Sequence, residues 1–79
     1  MTITEIYKEI KETRDCIKLS IDSCSTQLED ATLTPLERLS LKKRQDFEIG
    51  EYDAYMSILF MIEMSGLLEK EESNNEKDE

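Results

Sequence analysis

The sequence predicts an all-α protein, an antiparallel αα-hairpin of two long helices that dimerises into a four-helix bundle. Two helix-start signals and one short break between long amphipathic segments support this prediction. The 79 residues include two glycines and one proline, and no segment shows the alternation of apolar and polar residues that marks a strand. Helices are therefore expected over about residues 2–30 and 35–69.

The first helix begins with a recognisable cap. Thr2 and Glu5 have the spacing of a capping box, in which a hydroxyl and a carboxylate satisfy free backbone N–H groups, and Met1 and Ile6 have the spacing of a hydrophobic staple. Mostly apolar residues then recur at steps of three and four, which places them on one face of the helix. The opposite face is charged, and this pattern is typical of an amphipathic helix. The mostly apolar face consists of Ile3, Ile6, Ile10, Thr13, Ile17, Ser20 and Cys24, widened by Ile21 and Leu28.

A break is predicted at residues 31–33, because a second start signal follows it directly. Thr34 and Glu37 form a second capping box, and Pro35 fills the first helical position, where its missing N–H has no cost. Gly50 is the weak point of the second helix. It leaves two alternatives, one continuous helix or a break with a third helix starting near Asp53.

A short connection makes the two helices antiparallel neighbours, so that facing positions have numbers that sum to roughly 65. The facing groups expected from this register are Ile6 with Leu59, Ile17 with Phe47, Leu28 with Leu36 and Leu39, and Lys18 with Asp46.

The C-terminal part of the second helix has more apolar surface than the first helix can cover. In residues 52–68, twelve of seventeen positions are apolar or aromatic, and a helix that is apolar all round is expected to be buried all round. The first helix covers the stripe of Tyr52, Tyr55, Leu59 and Ile62. The remaining side chains are the predicted protein interface: Phe47, Ala54, Ile58, Met61, Met64, Leu67 and Leu68.

Two occupants fit this interface, a second copy of the chain or a different protein, and a two-fold homodimer is the commoner solution. Glu63 is the one acid within the apolar segment, and it either rims the interface or pairs with the Met1 amino group or a partner's base. Residues 54–68 are too short and too polar to span a membrane.

The formal net charge is −9, which repels nucleic acid and anionic membranes at long range. A nucleic-acid-associated regulator stays as the alternative, because one basic cluster exists. A mimic of nucleic-acid charge, using Glu5, Glu9, Glu12 and Asp15, is the converse possibility. The basic cluster is Arg38, Lys42, Lys43 and Arg44, and residues 70–79 are predicted to form a disordered acidic tail after a single domain over residues 1–69.

Enzymatic chemistry has no support in this sequence. It contains no histidine, so the usual general base and the usual metal ligand are missing, and no cofactor or small-molecule substrate is expected. Cys16 and Cys24 are eight residues apart on one helix, about 12 Å, which is too far for a disulfide. The charged start of the chain lacks the apolar core of a signal peptide, so the expected location is cytoplasmic.

These observations predict a small non-enzymatic protein-interaction module that acts by occupying a surface through its second helix. Adaptors, regulators and inhibitors belong to this class, which is frequent among phage and mobile-element products. A structural assembly subunit is a further alternative.

Overall fold

The computed structural model describes residues 2–70, and within them the chain forms two long helices packed as a hairpin. Helix α1 comprises Ile3–Leu28 and helix α2 comprises Pro35–Ser65. The helices pack against each other along their length, and the molecule measures 61 × 18 × 17 Å. The all-helical prediction is confirmed. The predicted tail, residues 70–79, lies outside the described residues except for Lys70.

Both predicted helix starts are present. At Thr2 the hydroxyl accepts from the backbone N–H of Glu5 at 3.2 Å, while Met1, the other half of the predicted staple, lies outside the described residues. At Thr34 the capping box is complete. The Thr34 hydroxyl accepts from the backbone N–H of Glu37, and the Glu37 carboxylate accepts from the backbone N–H of Thr34.

The end of α2 comes four residues before the predicted one. Gly66 follows Ser65 with a φ of 74°, a left-handed conformation that glycine adopts without a steric penalty, and its N–H donates to the Glu63 carbonyl. Residues 67–70 add a further helical turn. Gly50, by contrast, lies within a continuous α2, which decides for one helix over a break near Asp53.

The connection between the helices is fixed by side chains as well as by its length. The Asp30 carboxylate accepts from both the backbone N–H and the hydroxyl of Thr32. Arg38, in the first turns of α2, donates to the carbonyls of Leu28 and Asp30. These bonds satisfy carbonyl groups that the end of α1 leaves without a helical partner, and they place a positive charge at the negative end of the helix dipole.

The register differs from the predicted one by about one helical turn. Hydrogen bonds across the hairpin join Tyr7 to Glu63 and Gln45 to Ser25, so facing numbers sum to 70 in these pairs. Phe47, expected against Ile17, is 70% exposed.

The predicted contacts near the loop are also wrong. Leu36 and Leu39 were expected to pack against Leu28, but both are largely exposed. Arg38 lies over the end of α1 and donates to the Leu28 and Asp30 carbonyls, whereas Leu36 and Leu39 are exposed to solvent. Lys18 pairs with Asp22 in its own helix and not with Asp46.

The core between the helices is small. Among the described residues, Ile21, Cys24 and Leu59 are the buried apolar side chains and Gln45 is the buried polar one. The predicted contact stripe of α2 is confirmed, because Tyr52, Tyr55 and Ile62 are half-buried beside Leu59. On α1, the isoleucines of the predicted face are half-buried or buried. Thr13, which the heptad pattern placed on this face, is exposed, and Arg14 lies there in its place.

Candidate protein-interaction surface

The most distinctive surface of the molecule is the apolar side of α2. In the described part of the chain, α1 leaves one large apolar side chain well exposed, Leu19, whereas α2 leaves nine, and Leu67 continues the series beyond its end. Contiguous apolar patches larger than a few hundred Å² mark interaction sites on soluble proteins. The nine exposed side chains of α2 are Leu36, Leu39, Phe47, Ile49, Met56, Ile58, Phe60, Met61 and Met64.

The structure places the predicted interface residues on the surface of the hairpin. Six of the seven are exposed, namely Phe47, Ala54, Ile58, Met61, Met64 and Leu67, while Leu68 is half-buried. Sequence reasoning missed three exposed neighbours on the other flank of α2, namely Ile49, Met56 and Phe60. Their signal was available, because they also recur at steps of four and seven.

A groove lies at the C-terminal end of this surface. Its volume is about 300 Å³ and its lining is almost entirely apolar. We call it the α2 groove; its lining residues are Ile58, Met61, Ile62, Ser65 and Leu67. A second, more polar hollow of about 420 Å³ lies at the loop end, lined by Gln27, Leu33, Leu36, Glu37, Ser40 and Leu41.

A polar layer crosses the middle of the hairpin. The Gln45 amide donates to the Ile21 carbonyl at 3.3 Å and to the Ser25 hydroxyl at 2.6 Å. The Ser20 hydroxyl donates to the Glu48 carboxylate at 2.8 Å. Buried polar groups need such partners, because an unpaired one is costly in a low-dielectric interior.

Glu48 carries the charge of this layer. Its side chain is 12% exposed and forms an ion pair with Arg44 at 3.1 Å. The hydrogen bond from Ser20 lowers the pKa of the Glu48 carboxyl, burial opposes this, and the hydrogen bond and charge of Arg44 lower it further. Glu48 is therefore held as a carboxylate.

The polar layer was not predicted from the sequence, although a signal was present. Stepping back along the contact stripe from Tyr52 by four and then three residues gives Glu48 and Gln45. Those residue types are mostly found at surfaces, so the predicted stripe ends at Tyr52.

Glu63 also has a partner within the chain. The Tyr7 hydroxyl donates to its carboxylate, so Glu63 is bonded to α1, while Met1, its other predicted partner, lies outside the described residues. This hydrogen bond raises the pKa of Tyr7, with a smaller contribution from burial. The bond closes the end of the hairpin that carries the α2 groove.

The basic cluster is partly engaged in the fold. Arg38 bonds the loop carbonyls and Arg44 pairs with Glu48, which leaves Lys42 and Lys43 as the exposed cations of this cluster without such a structural role in the hairpin. A phosphate-backbone site needs positive charge spread over a wide surface, and this arrangement offers little of it.

Cys16 is exposed, Cys24 is buried, and both are free thiols. Over residues 2–70, no three His, Cys, Asp or Glu side chains come together as a metal-binding group would require. Neither described helix is long and apolar enough to cross a membrane.

Comparison of the chain with known protein families, with curated proteins and with solved structures finds no match.

Proposed function

We propose that this chain is a small non-enzymatic protein-interaction module, an adaptor, regulator or inhibitor that acts by occupying a surface through α2. The observation that carries the proposal is the exposure of nine large apolar side chains on α2 after the hairpin has formed. At the two ends of the hairpin, Glu63 and Arg38 form hydrogen bonds within the chain. The exposed apolar side chains of α2, by contrast, are not covered by any other part of the described chain.

The energetics support a protein partner. Burying one large apolar side chain stabilises a protein by about 1.5–3 kcal/mol, and over residues 2–70 the buried apolar side chains are Ile21, Cys24 and Leu59. Chains of this size commonly need a further source of stability. Covering α2 in a complex supplies it, and the net charge of −9 favours a protein over nucleic acid as the cover.

More specifically, we propose that the chain forms a homodimer in which two hairpins make a four-helix bundle. Two-fold dimers are the commonest oligomers, and in a four-helix bundle α2 would pack against α1 on one side and against the second copy on another. The contact stripe of α2 faces α1 and the exposed side faces the partner, as such a bundle requires.

Site-specific photo-crosslinking in cells that make the protein tests the general proposal. A photoreactive amino acid is placed at Met61, and in a matched control at Leu19, which is similarly exposed on α1 (68% and 70%). We expect discrete protein adducts from position 61 and none from position 19. Equal labelling at both positions, or none at position 61, would contradict a role for α2 in binding.

A further inference from the structure

Four of the five residues that line the α2 groove have the spacing of a hole in helix–helix packing. These residues, Ile58, Met61, Ile62 and Ser65, are spaced at i, i+3, i+4 and i+7 along one helix. In knobs-into-holes packing, four residues in this arrangement receive one large side chain from the facing helix. The groove therefore fits a single apolar side chain that approaches from a neighbouring helix.

The same face of α2 carries a matching knob. Phe47 is 70% exposed and lies fourteen residues before Met61, which is four turns of a coiled-coil helix, so both side chains project to the same side. Ala54 lies midway. At 1.5 Å per residue, Phe47 and Met61 each lie about 10.5 Å from Ala54 along the helix, in opposite directions.

We infer that the partner of α2 is a second copy of this chain, packed antiparallel with its two-fold axis near Ala54, so that Phe47 of each copy fills the α2 groove of the other. The inference rests on the proposed function and adds the partner and its orientation. A two-fold interface requires each surface to be self-complementary. Because Phe47 and the α2 groove lie on one face of the same helix, a two-fold axis at their midpoint, near Ala54, places the knob of each copy opposite the groove of the other.

Small residues allow the backbones to approach at the centre of this contact. Gly50, Ala54 and Ser57 follow one another at steps of four and three, and a Cβ atom at Gly50 would meet nothing within 4 Å. Bulky side chains lie at both ends of this segment and small ones between them, so two antiparallel copies of α2 can interlock.

Charge favours the antiparallel direction over the parallel one. Residues 31–50 contain four cations and three anions, whereas residues 51–70, the rest of the described chain, contain four anions and one cation. An antiparallel pair aligns each basic segment with an acidic one, and it brings Lys42 and Lys43 towards Glu69 of the second copy. A parallel pair would align the two acidic segments, and like charges oppose association.

The available area is sufficient for a dimer. At up to roughly 200 Å² for a large side chain, the exposed fractions on this face of α2 add to roughly 600 Å² on each copy. The residues counted are Phe47, Ile58, Met61, Met64 and Leu67. Specific interfaces bury about 1,200–2,000 Å² in total, so this contact lies at the lower end of that range before α1 contributes.

Sedimentation equilibrium of the full chain tests the partner. We expect a mass of twice 9.2 kDa at micromolar concentration. Phe47→Ala empties both holes of the dimer and should weaken dimerisation by at least about 100-fold, with unchanged helicity in circular dichroism. Leu19→Ala, which removes an equally exposed side chain from α1, should leave dimerisation within about 3-fold of the unmodified chain.

Disulfide trapping tests the orientation. On a Cys16→Ser background, one protein carries Gly50→Cys and a second, distinguishable by mass, carries Ser57→Cys. In the antiparallel pair residues 50 and 57 of different copies face each other, whereas in a parallel pair they are about 10.5 Å apart, beyond disulfide reach. We expect the mixed 50–57 disulfide to form in preference to either 50–50 or 57–57.

The outcomes separate this inference from the proposed function. A dimer that is disrupted by Phe47→Ala and trapped as the mixed disulfide supports the antiparallel pair. A dimer that is unaffected by Phe47→Ala, or trapped as 50–50, overturns the orientation while leaving self-association. A chain that stays monomeric and helical up to about 100 μM, a concentration well above the dissociation constants of specific dimers, would show that the partner is not a second copy. In that case adducts of other mass from position 61 would still support the proposed function.

Discussion

The two helices of the hairpin use their apolar residues in different ways. α1 has one apolar face, and that face turns to α2, so that Leu19 is its one large apolar side chain left well exposed. α2 is apolar on several sides, and one neighbouring helix can cover only one of them. The apolar residues of α1 therefore serve the packing of the hairpin, whereas those of α2 also form its exposed apolar surface. A change on the inner side of α2 should therefore affect folding, and a change on its outer side should affect binding.

Adjacent residues of α2 give the sharpest test of this comparison. Leu59 is 3% exposed and Ile58 is 42% exposed. Leu59→Asp places an unpaired charge in the core and should destabilise the hairpin by about 4 kcal/mol or more, enough to unfold a small domain. Ile58→Asp should leave the circular dichroism spectrum helical and abolish association in sedimentation. If Ile58→Asp unfolds the chain while Leu59→Asp does not, the inner and outer sides of α2 are exchanged.

The polar layer offers the next largest effect. Gln45→Ala removes the donor to the Ile21 carbonyl and the Ser25 hydroxyl and leaves a void at a buried position. We expect a loss of about 2 kcal/mol in urea unfolding. Gln45→Met is the matched control for volume, and it should recover the packing part of the loss. A loss below about 0.5 kcal/mol, the usual range for surface changes, would mean that the layer contributes little to folding.

The helix caps should show a smaller effect. Thr34→Ala removes the hydroxyl that accepts from the Glu37 N–H and should cost about 1 kcal/mol. Thr2→Ala removes the corresponding bond at the start of α1 and should cost less, because the ends of a chain fray. Chemical unfolding measures the loss in free energy of unfolding for each variant. A larger loss for Thr2→Ala than for Thr34→Ala would contradict this prediction.

The smallest effect concerns pH. The pKa of Glu48 is lowered in the folded protein by its bonds to Ser20 and Arg44, so the stability that it contributes is present above its unfolded pKa. That contribution is lost as the pH falls through the folded pKa, which lies below the value of about 4.3 of an ordinary glutamate. Asp30, whose pKa is lowered by Thr32, contributes in the same direction. Glu48→Gln should therefore reduce the loss of stability between pH 7 and pH 3, measured by urea unfolding. An unchanged pH dependence would contradict this role.

The elements of the fold were predictable because their signals are local. Thr34, Pro35 and Glu37 lie within four residues, and the cap that they form needs no other part of the chain. The inner stripe of α2 was also predictable, because Tyr52, Tyr55 and Leu59 follow a simple period.

The register could not be predicted in the same way. It depends on contacts such as Gln45 with Ser25 and Arg38 with the Leu28 carbonyl, which join polar groups far apart in the sequence. Matching apolar residues across the hairpin placed Phe47 in the core, whereas the structure leaves it outside. The exposed surface of α2 was nevertheless predictable in outline, because the excess of apolar residues is a property of one helix and not of the register.

The bonds that hold the two ends of the hairpin differ in the length of chain they enclose. Arg38 bonds carbonyls eight and ten residues away, whereas Tyr7 and Glu63 are 56 residues apart. Closing a short loop loses less chain entropy than closing a long one. Contacts beside the loop should therefore form first, and those at the other end should form last and open first. The α2 groove lies at that late-closing end. Amide exchange should therefore be faster around Tyr7 and Glu63 than beside the loop, and occupation of the groove should slow it.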